Sequence, residues 1–460
     1  LELNLDKTYK YKEGGIREMM QIALPMVASN ACDTIMVFTD RLFLSNLGAE
    51  QMSAAMGGGM SSFVLVIFFI GIISYSTAMI AQYYGAGKHD MCGTVTSQGL
   101  MISFAVYPII LLLSPLMRIF FSKSGISEGQ LFYQLQYFDI LVYGSILTLI
   151  RTSLSCFFSG IGRTRTVMFA SFGTMVMNVF MNWVLIFGNL GFPALGVKGA
   201  AIGTLVAGVF GISIFAFNYY QVPNMIKYGI KVSLKFNKDI FQKLLRFGIP
   251  AGVEFFLAFA AFTLLIILFH GHSPVTATAA TIMFNWDHVS FVPLIGLEIA
   301  VTSLVGRYVG AGKYDVVSKV VRSGLKIGIA YSIVVAFFFV FFPYGLTEFF
   351  RPEVFDPVYE EAIPLSAFMI RIASVYVLVT AQLLVLMGVL RGAGDTFIAM
   401  VISVAYNWII TIVTYIVLHF LGFSAEAAWA FIVALYAVFP YVLYLRYKSG
   451  KWRNIKVMAS

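Results

Sequence analysis

The stretch YYGAGKHD at residues 83–90 returns as YVGAGKYD at residues 308–315, an offset of 225 (308 minus 83). The same offset pairs Pro25 in QIALPMVAS (21–29) with Pro250 in LRFGIPAGV (245–253), Gly71 with Gly296, and Thr77 with Thr302. The register never slips between Pro25 and Asp90, so the chain carries two copies of one unit. Each copy holds an even number of apolar spans, and the second therefore enters a membrane facing the same way as the first. Two like halves related by a pseudo-twofold axis along the membrane normal leave a cleft between them, an architecture that points to a transporter.

Composition agrees with a membrane setting. The 460 residues are 59% hydrophobic and only 12% charged, whereas soluble domains run about 25% charged. Apolar stretches long enough to cross a bilayer recur along the chain. The fold class expected is an all-α integral membrane protein with twelve transmembrane helices in two six-helix lobes. The helices are placed at 18–45, 53–83, 92–121, 130–158, 165–189, 197–221, 243–270, 275–306, 317–350, 358–390, 396–421 and 424–446. The lobes are 1–221 and 243–447, joined by a polar linker at 222–242 and followed by a tail at 448–460.

Basic residues set the orientation. The N-terminal arm (Lys7, Lys10, Lys12, Arg17), alternate loops (Lys88, Arg163, Arg165, Arg307, Arg391), the linker and the tail hold most of the 31 Lys and Arg. The opposite loops hold Arg118, Lys123, Lys198 and Arg351. The positive-inside rule places both termini in the cytoplasm of a cell whose inner membrane the chain spans. The net charge of +9 is thus a topology signal and not a nucleic-acid surface, and the linker lysines are expected to meet anionic lipid headgroups. The outer segment RPEVFDPVYEE (351–361) is acidic, either solvated or attracting cations. Three cysteines (Cys32, Cys92, Cys156) are read as buried thiols. No zincin motif, nucleophile elbow, phosphate loop or Cys/His metal spacing is present, which argues against an enzyme, and no cofactor is expected.

The first span, ALPMVASNACDTIMVFTDRLFLSNLGAEQMSAA, resembles the opening of the multidrug and toxic compound extrusion (MATE) transporters: a proline, an aspartate about four turns later, then G-x-x-x-[ML]-[AS]-A. The paired Gly-Ala-Gly loops, GIGRTR (160–165), LRGAGDT (390–396), NVFMNWVLIFG (178–188) and LGVKGAAIGT (195–204) are similar to later parts of the same family pattern. The resemblance covers nearly the whole chain. It implies a secondary antiporter that expels organic cations and amphiphilic drugs in exchange for H+ or Na+, working as a monomer by alternating access. A lipid-linked oligosaccharide or peptidoglycan-precursor flippase of the same broader superfamily is the alternative. Flippases of that kind carry a basic cavity, and the span interiors here hold more acids than the bases Arg41, Arg151 and Arg371.

An ionisable group inside a span is costly and marks a functional candidate. Asp40 is the first such group, and the resemblance makes it the N-lobe coupling carboxylate. Asp33 lies two turns earlier on nearly the same face and is read either as tuning Asp40 or as bonding a neighbouring helix. Asn178 and Asn182, one turn apart on the fifth span, share a face. By resemblance they line the same cavity as Asp40, as does Thr204 of the sixth span. The second lobe departs from the family pattern. Glu254 follows Pro250 by only one turn, and Thr380 stands where a sodium-binding branch has an aspartate. Glu254, Asp287 and Glu298 are nevertheless expected to cluster there, with Arg371 as their counter-ion.

Overall fold

The computed structural model describes residues 12–123, 125–352, 354–455 and 457–458. Lys7 and Lys10, used above to argue orientation, lie outside the described residues. All regular structure among the described residues is helical. The first half comprises α1 (Ile16–Ser45), α2 (Ala49–Ser74), α3 (Ser76–Gly85), α4 (His89–Lys123), α5 (Glu128–Tyr143), α6 (Ser145–Gly160), α7 (Thr164–Phe187) and α8 (Val197–Tyr219). The second comprises α9 (Val222–Lys227), α10 (Lys238–His270), α11 (Pro274–Gly310), α12 (Tyr314–Phe341), α13 (Pro343–Glu348), α14 (Pro357–Ala393), α15 (Thr396–Tyr415), α16 (Ala425–Tyr436) and α17 (Phe439–Lys448). Eleven helical segments are long and apolar enough to cross a membrane, and α5 with α6 makes a twelfth, bent by 45°. The fourth span, expected to be one helix over 130–158, breaks at Gly144, where the Leu205 side chain of α8 fills the room a Cβ would take.

Local chemistry sets the helix ends. Ser273 caps α11 by accepting from the Thr276 amide at 3.0 Å, with Pro274 at the first helical position, and Asp356 caps α14 from the Val358 amide at 2.9 Å, ahead of Pro357. Such side-chain acceptors satisfy amides that the first turn leaves without partners. The repeated Gly-Ala-Gly stretches are helix stops. Gly87 and Gly312 sit at φ +75° and +71°, and the next amides reach back to Tyr83 O at 3.0 Å and Tyr308 O at 2.9 Å. A left-handed residue closing a helix in this way is favourable only for glycine. The motif that reveals the repeat is therefore a folding device.

The chain divides into two compact units, Leu1–Val27 with Leu257–Lys456, and Ala28–Phe256 with Val457–Ser460. They are called here the C-terminal and N-terminal units. Their boundaries are not those of the lobes drawn at 221 and 243: each cut falls inside the first helix of a repeat, shortly after Pro25 or Pro250. A mid-helix proline removes one backbone donor and favours a bend.

Within the N-terminal unit, the first part of α10 lies directly on α2. A Cβ on Gly71 would come 2.6 Å from Gly252 Cα, and Tyr75 stacks on Phe247 with ring centroids 5.6 Å apart. Within the C-terminal unit, the first part of α1 lies on α11 in the equivalent manner, a Cβ on Gly296 coming 2.6 Å from Val27 N. Glu18, nearly fully buried, accepts from the Gly14 amide at 2.7 Å and from Tyr308 Oη at 2.8 Å, which ties the start of α1 in place.

The linker is packed, not loose. Ser233 and Ser97 hydroxyls meet at 2.9 Å, Gln98 Nε2 donates to Lys235 O at 3.1 Å, and Tyr228 and Ile230 are buried. In the C-terminal unit α11 and α14 form the most extensive helix pair, around Leu297, Val301, Val305 and Val385. The three cysteines are buried and free.

Candidate functional site

Asp40 lies near the end of α1 in the N-terminal unit, 8% exposed. Helices α7 and α8 supply its surroundings, and they approach closely because α8 presents small residues to α7. A Cβ on Gly203 would collide with Asn182 Oδ1, so glycine there is what lets Asn182 lie against α8. Small residues at such contacts are the usual means of bringing two membrane helices together.

Four side chains from three helices close into a ring of hydrogen bonds. Asn182 Nδ2 donates to Asp40 Oδ1, and also to Asn178 Oδ1 at 3.3 Å. Asn178 Nδ2 donates to Thr204 Oγ1 at 3.2 Å. The single Thr204 hydroxyl proton has two acceptors, Ala200 O at 3.0 Å and Asp40 Oδ2 at 3.4 Å. Tyr137 of α5 packs beside this group with Leu44 and Ala201 and lies within electrostatic reach of the carboxylate.

This geometry accommodates either charge state of Asp40. The ionised carboxylate takes the Asn182 amide on one oxygen and the Thr204 hydroxyl on the other. When Oδ2 carries a proton, Thr204 can turn its own proton to Ala200 O and accept instead. No cation forms an ion pair with Asp40 among the described residues, and adjacent Arg41 acts on it only at longer range. Neutral donors alone therefore hold a nearly buried carboxyl, and such a group exchanges a proton or metal ion more readily than one locked to a guanidinium.

The other candidates divide differently from expectation. Asp33 does not join Asp40. It pairs with Arg151 at 2.6 Å, and Arg151 also donates to Ser171 Oγ at 3.0 Å, which in turn meets Ser29 Oγ at 2.7 Å. Arg151 is thus held by a carboxylate of the same unit. The rule that charges inside a membrane pair could have nominated this partnership.

Arg371 is not the counter-ion expected for Glu254, Asp287 and Glu298. Glu254 is buried in the N-terminal unit, because the first part of α10 belongs there. Glu298 pairs with Arg391 of α14, while Arg371 is exposed and makes no ion pair among the described residues. Asp287 stands apart, facing a cavity of the C-terminal unit. Thr380 is buried and donates to Tyr376 O at 2.9 Å. In the segment after α13, Arg351 joins Glu348 at 2.5 Å and also Glu360, so one acid of the acidic stretch and one just before it are paired with its own arginine.

Known proteins resemble this chain in sequence and in fold. The sequence profile described as MatE matches residues 25–184 and 250–417, the two repeats. A probable multidrug resistance protein NorM of Thermotoga maritima is 26% identical over 452 residues, covering 96% of this chain and 94% of the relative. A probable multidrug resistance protein YoeA of Bacillus subtilis is 23% identical, covering 97% and 96%. The crystal structure of MATE in complex with MaL6 superposes with a TM-score of 0.87 at 18% identity, covering 96% of this chain and 98% of that one, and has the same fold.

Proposed function

The chain belongs to the MatE family, and from that premise we propose that it is a secondary active exporter exchanging H+ or Na+ for organic cations and amphiphilic drugs, with Asp40 as the coupling carboxylate. The relatives' names support multidrug efflux as the activity. The observation that carries the coupling role is the ring around Asp40: a nearly buried carboxyl held by Asn182 and Thr204 with no cationic partner among the described residues. In the outward-open state Asp40 takes up H+ or Na+, which lowers affinity for a bound organic cation and releases it outside. The loaded ion leaves on the cytoplasmic side after the return. The carboxylate need not touch the drug; coupling requires only that each ligand disfavours the other. With both termini in the cytoplasm, the basic loops face the anionic inner leaflet.

Na+ binding is supported by the neutral oxygens of the ring, Asn178 Oδ1 and Thr204 Oγ1. H+ binding is supported by the two acceptors open to the Thr204 proton. Of the interior bases weighed for the flippase reading, Arg151 is engaged by Asp33.

The test is transport of a fluorescent organic cation in proteoliposomes under H+ and Na+ gradients imposed separately. Asp40→Asn is expected to reduce gradient-driven transport to background while the protein remains folded. Wild-type pumping by that variant would refute the role, and the gradient that drives the wild type identifies the coupling ion.

A further inference from the structure

In the N-terminal unit, α3, α4 and α6 converge at Gly99, and two serines face it. A Cβ on Gly99 would lie 2.8 Å from Ser153 Oγ of α6 and 3.4 Å from Ser76 Oγ of α3. Each serine is 1% exposed, and neither hydroxyl has a hydrogen-bond partner among the described residues. A hydroxyl on a helix commonly donates to the carbonyl one turn earlier, as Ser103 does to Gly99 O at 2.9 Å. Two buried hydroxyls that do not, aimed at one spot, are unfavourable unless something bonds them.

The second repeat supplies a control. The offset of 225 pairs Ser76 with Val301 and Gly99 with Gly324. Ser153 and Val385 each stand nine residues before a left-handed glycine, Gly162 and Gly394. A Cβ on Gly324 would lie 3.1 Å from Val301 Cγ2 and 3.2 Å from Val385 Cγ1, so α11, α12 and α14 meet there through methyl groups. Hydrocarbon suffices at this crossing, and packing alone does not explain the serines. A second difference lies beside them. Helix α11 runs unbroken past Val301, whereas the second span is interrupted at Tyr75, between α2 and α3. Tyr75 O there receives both the Ala78 and the Met79 amides, at 3.0 and 3.2 Å. Inside a membrane, ordered water and hydroxyl groups commonly restore the bonding of an interrupted helix.

We propose that Ser76 and Ser153 bind one water molecule beside Gly99, at the interruption of the second span, in a site that the second repeat lacks. Each serine side chain has one heavy atom fewer than the valine in its place, and a water's share of liquid volume is only about 30 Å³. Two hydroxyls meet the minimum of polar partners that a buried water requires. Neither hydroxyl meets a carboxylate among the described residues, so a metal ion would be left without a counter-charge and the ligand is neutral. The site rests on packing and hydrogen bonding, and does not depend on the coupling role of Asp40.

The test is an experimental structure of the purified full-length chain at a resolution that shows ordered water, together with thermal unfolding of single variants. Density is expected at about 2.7–2.8 Å from both Ser76 Oγ and Ser153 Oγ. A direct bond between the two hydroxyls, with no density beside them, overturns the proposal. So does a peak ringed at shorter range by several oxygens, which marks a metal ion. Ser76→Ala and Ser153→Ala each deprive the water of a partner, and each should lower the unfolding midpoint by roughly 1–3 °C. Were the hydroxyls dry, each substitution would delete an unsatisfied group, so a raised midpoint in both variants also overturns the proposal. Ser76→Val combined with Ser153→Val copies the second repeat; it should recover the wild-type midpoint and show no water density at this place.

Discussion

At the scale of the residue, partner choice separates coupling groups from structural ones. Thr204 is the one member of the Asp40 ring whose proton can turn between two acceptors. Thr204→Val keeps the shape but removes the hydroxyl; it is expected to slow gradient-driven transport several-fold or more, while Thr204→Ser keeps most of the rate. The measurement is initial dye uptake in proteoliposomes. A lost hydrogen bond to a charged group is worth about 1.5–3 kcal/mol, enough for such an effect. Glu298 and Arg391 illustrate the opposite case. Both side chains are largely buried and paired, so Glu298→Gln should destabilise the protein by roughly 3–5 kcal/mol because it strands a buried guanidinium. Glu298→Gln combined with Arg391→Met should recover part of that loss, as read from thermal unfolding. The sequence, with the family resemblance, was enough to assemble Asp40, Asn178, Asn182 and Thr204. The pairing of Asp33 with Arg151 and of Glu298 with Arg391 was not legible, because it depends on how helices distant in sequence rotate against each other.

At the scale of the element, the short loops are informative. Each stop glycine ends a helix abruptly and lets the next begin within a few residues, which keeps adjacent spans antiparallel. Hydrophobic patterning was sufficient to place nearly every span. It could not report the bend at Gly144, which arises from a side chain of α8 and leaves no trace in the local pattern. The connection between α13 and α14 carries a pH-sensitive contact. Hydrogen bonds from Arg351 hold the Glu348 carboxyl below its usual range. A depressed carboxylate stabilises the fold above its unfolded pKa, about 4.3, and the contribution is lost as pH falls through the lower folded value. Hydrogen exchange across 343–360, corrected for intrinsic rates, should therefore accelerate on acidification into that window. Arg351→Gln should show the faster exchange already near neutral pH, with little further change in acid.

At the scale of the whole molecule, the repeat predicted two like halves, and the sequence is indeed divided that way. The compact units are not, because the leading part of α1 packs on α11 and that of α10 on α2. Apolar periodicity reports that a helix face is buried, not which helix buries it, so this crossing could not be read in advance. It makes a direct prediction about halves of the chain. A break introduced within 222–237 should yield fragments that are unstable when made singly, each lacking the segment that covers its second span, yet that co-purify when made together. Co-purification after tagging one fragment is the measurement, and a stable, separately purified N-terminal half would contradict it. The same crossing bears on descent. If one repeat once existed alone, the glycine seat on its second span could be filled only by the leading arm of another copy, so the ancestor would have been a pair of identical chains with interchanged arms. Fusing the two genes made that exchange intramolecular, replacing a concentration-dependent assembly with one held together by its own backbone.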